Sequence, residues 1–247
     1  MKKILGCFLL FSVSCMSQDN TRWPADQTQP AFSGVSIPAV LTQQQHKSLD
    51  LLCRTWGVLK YFHPKLTGGK VNADKALFII MPEVLTATDD QALGQLLYNW
   101  IIALGDIPAK PAKPFSSKAF IEPTFNWLQK HVMVTDNLRL KILEVIENRQ
   151  SAGGYYNKPG DVGNPDFSNE FMYKNVKGED DGMRMLGLFR YWNSVEYYFP
   201  SKQLTADNWD MVLQKMIPVF ASSNTDLAYR MACLELVATI HDTHAAG

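Results

Sequence analysis

The order of hydrophobic and polar residues follows a helical period from Gln44 onwards. Residues spaced three and four apart predict one buried helix face, formed by Leu49, Leu52, Trp56, Leu59 and His63. Pro64 is expected to end this helix, because proline lacks the backbone N–H that a helix interior uses.

Two further helices are predicted directly after it. The first covers residues 72–87, and Pro82 is expected to kink or split it. The second covers residues 88–104. Thr88 is predicted to be its N-cap, with Asp89 and Asp90 in the first turn, where carboxylates interact favourably with the helix dipole.

The same pattern of residues recurs later in the chain. When the two copies are aligned without a gap, Trp192 stands at the position of Trp56. In this register the matching pairs are Leu52 and Leu188, Arg54 and Arg190, Trp56 and Trp192, Tyr61 and Tyr197, Pro64 and Pro200, Asp74 and Asp210, Leu77 and Leu213, Pro82 and Pro218, Asp90 and Asp226, Ala92 and Ala228, and Asp106 and Asp242. Asn224 stands at the position of Thr88 and is the predicted N-cap there. The matches predict an all-α fold, a helical bundle built from a duplicated three-helix unit.

The helical domain is expected over residues 43–247, with one repeat at 43–106, a connection at 107–181 and the second repeat at 182–247. The connection starts with a proline-rich, extended spacer over residues 108–114. An amphipathic helix is predicted over 135–149. The Gly-, Asn- and Pro-rich residues 153–169 predict an ordered functional loop, a short hairpin or simply a long connection between the repeats.

The first residues have the pattern of an export signal. Lys2 and Lys3 precede an apolar run over residues 4–13, which is too short for a stable membrane anchor. Two processing routes stay open: cleavage near Ser17, giving a signal peptide over 1–17, or lipoprotein cleavage before Cys15. Residues 18–42 are polar and rich in proline, so they are predicted to be a flexible tether. The expected location is the periplasm, the outer membrane as a lipoprotein, or the cell surface.

Charge and cysteine content narrow the function classes. The chain has 24 basic and 24 acidic residues, so no overall field favours nucleic acid or an anionic membrane as a partner. Membrane contact is expected only through the possible lipid on Cys15. Cys53 and Cys233 are too few for a disulfide scaffold and are predicted to be small buried apolar residues.

Candidate chemistry is concentrated at the end of the chain. His241 and His244 lie three apart, a spacing that places two side chains on one helix face. Zinc requires at least three protein ligands, and the spacing of His46, His63 and His131 supplies no third one, so no metal is predicted. His63 stands where the second repeat has Phe199, which predicts a core position.

A histidine could also act as a general base for a nucleophile. The chain has no Gly-x-Ser-x-Gly motif, and neither Cys53 nor Cys233 lies in a reactive-looking context. From the residues alone, two interpretations are open: one histidine has a catalytic role, or both are ordinary residues at a helix end.

Several segments resemble one known family. They are Phe189–Asn193, Tyr197–Pro200, Asn208–Asp210, Ile217–Pro218, Ile240–Ala245, Arg54–Pro64 and Gly163–Pro165. Together they resemble the N-terminal helical region of exported tail-specific serine peptidases, in the tricorn-core-like branch of serine peptidase family forty-one.

The resemblance implies a function and a site. In that family a PDZ-like domain, which binds the peptide or protein substrate, and a domain with the nucleophilic serine follow the helical region. His244 matches the general base of the tricorn-like branch, and Thr243 matches the polar position beside it. No cofactor is implied.

This chain stops soon after His244, so we expect either a truncated product or a serine domain supplied by another polypeptide, and no activity of the chain alone. The alternative function is a surface-anchored helical module that binds a peptide or glycan or serves as a scaffold. Exposure of Tyr155, Tyr156 and Tyr173 would favour binding, whereas burial would favour packing.

Overall fold

A computed structural model describes residues 24–109, 123–131, 134–149, 153–159, 165–174, 178–200, 202 and 208–240. This part of the chain is mostly helical, with two short strands, which confirms the predicted all-α class. Its helices are α1 (Gln43–Phe62), α2 (Pro64–Thr67), α3 (Ala73–Leu85), α4 (Asp90–Ala103), α5 (Trp127–Lys130), α6 (Asp136–Glu147), α7 (Asp181–Tyr198), α8 (Trp209–Ser222) and α9 (Asp226–Ala238).

Helix α1 is the central element of the bundle. It begins with a capping box, in which Gln45 N donates to Thr42 Oγ1 at 3.1 Å and Thr42 N donates to Gln45 Oε1 at 3.0 Å. From Ser48 to its end every residue is buried, because α3, α4, α6, α7 and α8 surround it. His63 follows it as a fully buried residue, which confirms the predicted core position.

The two repeats are built from equivalent helices and equivalent internal contacts. Helices α1, α3 and α4 form one repeat, and α7, α8 and α9 form the other. Trp56 Nε1 donates to Ala73 O at 2.9 Å in the first, and Trp192 Nε1 donates to Trp209 O at 2.9 Å in the second. In each repeat an indole therefore joins the long helix to the start of the next one.

The repeats face each other through equivalent positions. The ring centroids of Tyr61 and Tyr197 are 6.0 Å apart, and Asn193 Nδ2 donates to Cys53 O at 3.1 Å. A Cβ atom on Gly57 would lie 1.7 Å from Asn193 Oδ1. Contacts between a residue and its own repeat equivalent, as for Tyr61 with Tyr197 and Gly57 with Asn193, are those of an approximate two-fold relation.

Two predicted N-caps and one predicted helix break are corrected. The N-cap of α4 is Asp89, whose Oδ1 accepts from Ala92 N at 2.8 Å, and not Thr88. The N-cap of α9 is likewise Thr225 and not Asn224. Pro82 does not split α3, which continues through it from Ala73 to Leu85, and the proline itself is exposed.

The predicted tether is wrong for residues 24–42, which pack on the helical body. Val35 and Ile37 are buried. Ser33 N donates to Asp180 Oδ2 at 2.8 Å, and Ile37 N donates to Asp181 Oδ2 at 2.6 Å. The polar composition hid this packing, because carboxylates at the start of α7 hold the segment by its backbone. Residues 1–17, the predicted signal, and 18–23 lie outside the described residues.

The connection between the repeats contains short ordered elements. Helix α6 agrees with the helix predicted there, and its buried residues are Leu138, Ile142, Val145 and Ile146. Strands β1 (Lys158–Pro159) and β2 (Pro165–Asp166) pair antiparallel, as the short-hairpin alternative expected. Most of the proline-rich spacer lies outside the described residues.

Candidate functional site

The predicted catalytic residues follow α9. Thr225 caps the start of this helix, with Ala228 N donating to Thr225 Oγ1 at 3.2 Å, and Thr239 Oγ1 donates to Leu236 O at 2.6 Å near its end. His241, Thr243 and His244 come next and lie outside the described residues, as does Cys15. The described structure therefore includes the helix that leads to His244 but not the histidine.

The described histidines have other partners. His46 Nε2 lies 2.7 Å from Gln214 O, and His63 Nδ1 accepts from Lys65 N at 3.2 Å. His131 Nε2 lies 2.6 Å from Asp50 Oδ2. Within the described ranges no serine hydroxyl or cysteine thiol is hydrogen-bonded to a histidine, and no group of three or more His, Cys, Asp or Glu residues could hold a metal ion.

Both described cysteines are free thiols. Cys53 is fully buried, as predicted, and burial raises the pKa of its thiol well above the usual value. Cys233 is only half-buried, so the prediction of burial holds in part for it. Its pKa is also raised by burial, an effect that its hydrogen bond with Tyr229 reduces.

A buried ion cluster, here called the Arg54 cluster, contains Asp50, Arg54, His131 and Asp210. Arg54 Nη1 donates to Asp210 Oδ1 at 2.6 Å, and Arg54 Nη2 donates to Asp50 Oδ1 at 3.2 Å. The guanidinium carbon lies 4.9 Å from the centroid of the Trp192 ring. The cluster therefore connects α1 of the first repeat with α7 and α8 of the second.

A second cluster, the Arg190 cluster, contains Lys60, Asp74, Glu170, Tyr173 and Arg190. Arg190 Nη2 pairs with Asp74 and lies 3.1 Å from Glu170 Oε2. Tyr173 Oη donates to Asp74 Oδ2 at 2.7 Å, and Lys60 Nζ pairs with Glu170. The pair of Arg190 and Asp74 is the repeat equivalent of the pair of Arg54 and Asp210. Each repeat thus supplies the arginine of one cross-repeat pair and the aspartate of the other.

The pKa values in both clusters reflect burial opposed by pairing. Burial disfavours the ionised carboxylate of Asp50, but His131 and Arg54 outweigh it and keep the pKa of Asp50 below its usual value. Arg190 and Lys60 similarly keep the pKa of Asp74 low against its burial. Burial lowers the pKa of Lys60, and Glu170 and Asp74 offset part of that effect.

These clusters have the properties of cross-links between the repeats. Each arginine is held by a carboxylate from the other repeat and stacks on an aromatic ring, which for Arg190 is Tyr173 at 5.0 Å. The charged groups are already paired with one another. Removing one partner would leave a buried charge uncompensated, which makes the clusters important for the arrangement of the two repeats.

A cleft of about 350 Å³ lies between α7 and α9. Its lining residues are Phe171, Met172, Tyr173, Lys174, Met183, Leu186, Gly187, Arg190 and Tyr229. Most of this surface is aromatic or aliphatic, and the charged residues in it are both cations. Arg190 is already paired with Asp74 and Glu170, so the cleft suits an apolar group of a ligand.

No family model, curated protein or solved structure matches this chain. The family resemblance therefore remains a prediction. Among the described helices, none has both the length and the apolar character that crossing a bilayer requires.

Sequence reasoning missed the Arg54 cluster and the cleft. The charged residues Asp50 and Arg54 on an otherwise apolar helix could have indicated a buried ion cluster, because buried charges need partners. His131 lies far from Asp50 in the chain, so no local spacing indicated their contact. Of the three tyrosines considered as binding residues, Tyr156 is buried and donates to Gln27 Oε1 at 3.2 Å, and Tyr155 and Tyr173 are half-buried.

Proposed function

We propose that this chain is the N-terminal helical region of an exported serine peptidase and contributes the general base, His244. The proposal rests on the sequence resemblance and on one structural observation that supports it. Helix α9, which leads to His244, packs against both α7 and α8. The packed helix fixes the point from which the chain continues towards His244, and general-base catalysis depends on such positioning.

In this proposal His244 accepts the proton of a serine hydroxyl as the oxygen attacks the peptide carbonyl, and then gives the proton to the leaving amine. An imidazole suits this role because its ordinary pKa is close to neutrality. The serine and the oxyanion donors belong to a domain other than the one described here, and a PDZ-like domain binds the peptide or protein substrate. Thr243 would line the site beside the base.

The decisive experiment uses an intact enzyme that carries this segment. His244→Ala is expected to lower kcat/KM for a peptide substrate by about 10² to 10⁴, the usual contribution of a general base. His241→Ala is the matched control and should retain activity. Equal activity of the two variants would remove the assignment. A fluorophosphonate probe should leave the isolated 247-residue chain unlabelled, and labelling of it would contradict the proposed division of the active site.

We also propose export, with either lipidation of Cys15 or ordinary cleavage near Ser17. Labelled palmitate distinguishes the two routes. Incorporation that is lost in Cys15→Ser and retained in Cys7→Ser identifies the lipoprotein route. A soluble, unlabelled product in the periplasm identifies ordinary cleavage, and an unprocessed protein in the cytoplasm contradicts export.

A second candidate function is a helical module that binds a peptide or glycan, and the cleft between α7 and α9 favours it. Calorimetric titration with peptide and oligosaccharide libraries tests this candidate. Saturable binding that is weakened when Tyr229→Ala changes the cleft would support it. Absence of binding to either class would reject it.

A further inference from the structure

Residues 33–37 lie across the start of α7 and belong to neither a helix nor a strand. Val35 and Ile37 are 8 % and 6 % exposed, whereas Gly34 and Ser36 are exposed to water. This alternation is typical of an extended chain with one bound face and one solvated face. Gly34 has a φ of 70°, which turns the chain before Val35. The segment therefore packs on the helical body as a bound peptide would.

Asp180, the N-cap of α7, binds the beginning of the segment. Its Oδ1 accepts from Met183 N at 2.9 Å, and its Oδ2 accepts from Ser33 N at 2.8 Å. The hydroxyl of Ser33 donates to the same carboxylate. A Cβ atom on Gly182 would lie 2.5 Å from Ser33 Oγ and 2.9 Å from Val35 Cβ, so only glycine admits the segment this close to α7. The helix cap and a glycine together form one end of the site.

Asp181 binds the other end of the segment. Its Oδ2 accepts from Ile37 N at 2.6 Å, while its Oδ1 accepts from Arg184 Nη2 at 2.7 Å. Arg184 is buried and also donates to Phe220 O at 2.9 Å and to Ala221 O at 3.1 Å. The helical body therefore fixes this carboxylate from behind, and its free oxygen is directed at a main-chain N–H group.

The residues that form this site differ between the repeats. In the alignment of the repeats, residues 44–46 stand at the positions of Asp180, Asp181 and Gly182, and their sequence is Gln-Gln-His. The first repeat thus has neither the two carboxylates nor the glycine at the start of its long helix. Such a difference at equivalent positions is expected of residues that serve binding.

We propose that the start of α7 is a binding site for a non-helical peptide segment, and that residues 33–37 occupy it as an intramolecular competitor. The ligand offers main-chain N–H groups to Asp180 and Asp181, and it carries glycine followed by two aliphatic residues with one residue between them. Main-chain hydrogen bonds with pockets for alternate side chains are a general mode of peptide recognition. The inference does not depend on His244 and applies to either proposed function.

The chain's own segment can be displaced from this site. It buries only two aliphatic side chains, and the conformational entropy lost by the ordered residues opposes that gain. Its advantage is attachment, because Thr42 caps α1 only five residues after Ile37 and keeps the segment at a high effective concentration. A free peptide of the same sequence should therefore bind once the attached segment is weakened.

The test uses the full chain and a fluorescein-labelled synthetic peptide of residues 30–40. In the double variant Val35→Asp with Ile37→Asp, the attached segment should leave the site, because two carboxylates would otherwise be buried. Fluorescence anisotropy should then show saturable binding, about tenfold or more tighter than to the unmodified chain. The matched control is Phe32→Asp with Val40→Asp, at positions 72 % and 86 % exposed, and it should bind as weakly as the unmodified chain.

A further substitution locates the peptide. Gly182→Ala, added to the double variant, should weaken peptide binding about tenfold or more, because its Cβ atom occupies the position of the segment. Gly187→Ala on the same helix is the control, since a Cβ atom there faces Tyr229 instead. No saturable binding to the double variant, equally tight binding to the unmodified chain, or binding unaffected by Gly182→Ala would each overturn the proposal.

A second measurement leaves the sequence of the segment intact. Gly182→Ala alone should speed hydrogen exchange at the amide of Ile37 about tenfold or more, because the segment loses its close contact with α7. Amides in the middle of α7 should keep their rates, and Gly187→Ala should leave the Ile37 rate unchanged. An Ile37 rate that does not respond to Gly182→Ala would also overturn the proposal.

Discussion

Helices α4 and α9 occupy equivalent positions in the two repeats but have different surroundings. α6 packs on one side of α4, and together with α1 and α3 it buries Leu93, Gly94, Leu97, Trp100 and Ile101. In α9 only Ala232 and Leu236 are buried within the helix. The difference shows that the duplicated unit retained its internal packing while its outer side diverged.

The contacts found in both repeats are of two kinds: contacts within each three-helix unit and contacts between the two units. The tryptophan bonds, the side-chain caps at Asn72 and Asn208, and the reciprocal arginine–aspartate pairs all occur twice. The cleft described above and the exposed Leu227, Met231 and Leu234 lie on the second repeat. Residues with a functional role are therefore expected at positions where the two repeats differ. Residues that stabilise the fold are expected at positions where the repeats agree.

The largest expected effect on stability is that of substituting Asp74, and the matched comparison is Asp210, the aspartate of the other reciprocal pair. The side chain of Asp74 is 1 % exposed, whereas that of Asp210 is 54 % exposed. Asp74→Ala should lower the free energy of unfolding by about 3–5 kcal/mol, because it removes the fully buried partner of Arg190 and leaves Glu170 alone to offset both Arg190 and Lys60. Asp210→Ala should cost about 1 kcal/mol or less, because water screens that pair.

Urea unfolding followed by circular dichroism measures both variants. Asp210→Ala serves as the control, since it removes the same group from the equivalent position. Similar losses for the two variants would contradict the unequal burial of the two pairs.

A smaller effect is expected where the repeats meet. Gly57→Ala places a Cβ atom against Asn193, so the two long helices must separate, at a cost of about 1–3 kcal/mol. Asn193→Gly in the same chain should recover part of this loss, because it removes the obstructing side chain. A double-mutant cycle on thermal unfolding measures the coupling, and additive losses would contradict direct contact between Gly57 and Asn193.

The smallest effect at neutral pH concerns His63, which stands where the other repeat has Phe199. Burial, with Lys65 and Lys141 nearby, lowers the pKa of His63 from 6.5 to about 3. The folded protein keeps this imidazole neutral while the unfolded chain protonates it, so stability falls as pH drops from 6.5 towards 3. The slope from this group is at most about 1.4 kcal/mol per pH unit.

His63→Phe should reduce the pH dependence of the free energy of unfolding above pH 4.5, a range in which the aspartates still contribute little. Unfolding curves at several pH values measure the slope. A slope as steep in the variant as in the natural chain would contradict the assignment, whatever the change in stability at neutral pH.

The helices and the duplication could be predicted because they depend on short-range patterns. The apolar spacing in α1 and the matches at Trp56 and Trp192 needed no tertiary information. The cap of α4 lies one residue after the predicted Thr88, because Thr88 and Asp89 are adjacent and both suit that position.

Contacts between distant segments could not be predicted in the same way. The alignment of the two repeats makes Arg54 equivalent to Arg190 and Asp74 equivalent to Asp210. It does not show that each arginine forms an ion pair with the aspartate of the other repeat. The coverage of α4 by α6 was equally hidden, because amphipathicity shows that a helix packs and not where it packs. The predicted base, His244, lies beyond the described residues and stays a prediction.

Native-state hydrogen exchange tests the central claim, that the repeats share one architecture while, among the described residues, a helix packs on the outer side of α4 and none packs on the equivalent side of α9. In the unmodified chain, amides in the middle of α4 should exchange on the order of tenfold more slowly than the equivalent amides of α9, because covering helices raise the free energy of local opening. Equal rates in the two helices, or slower exchange in α9, would contradict the claim.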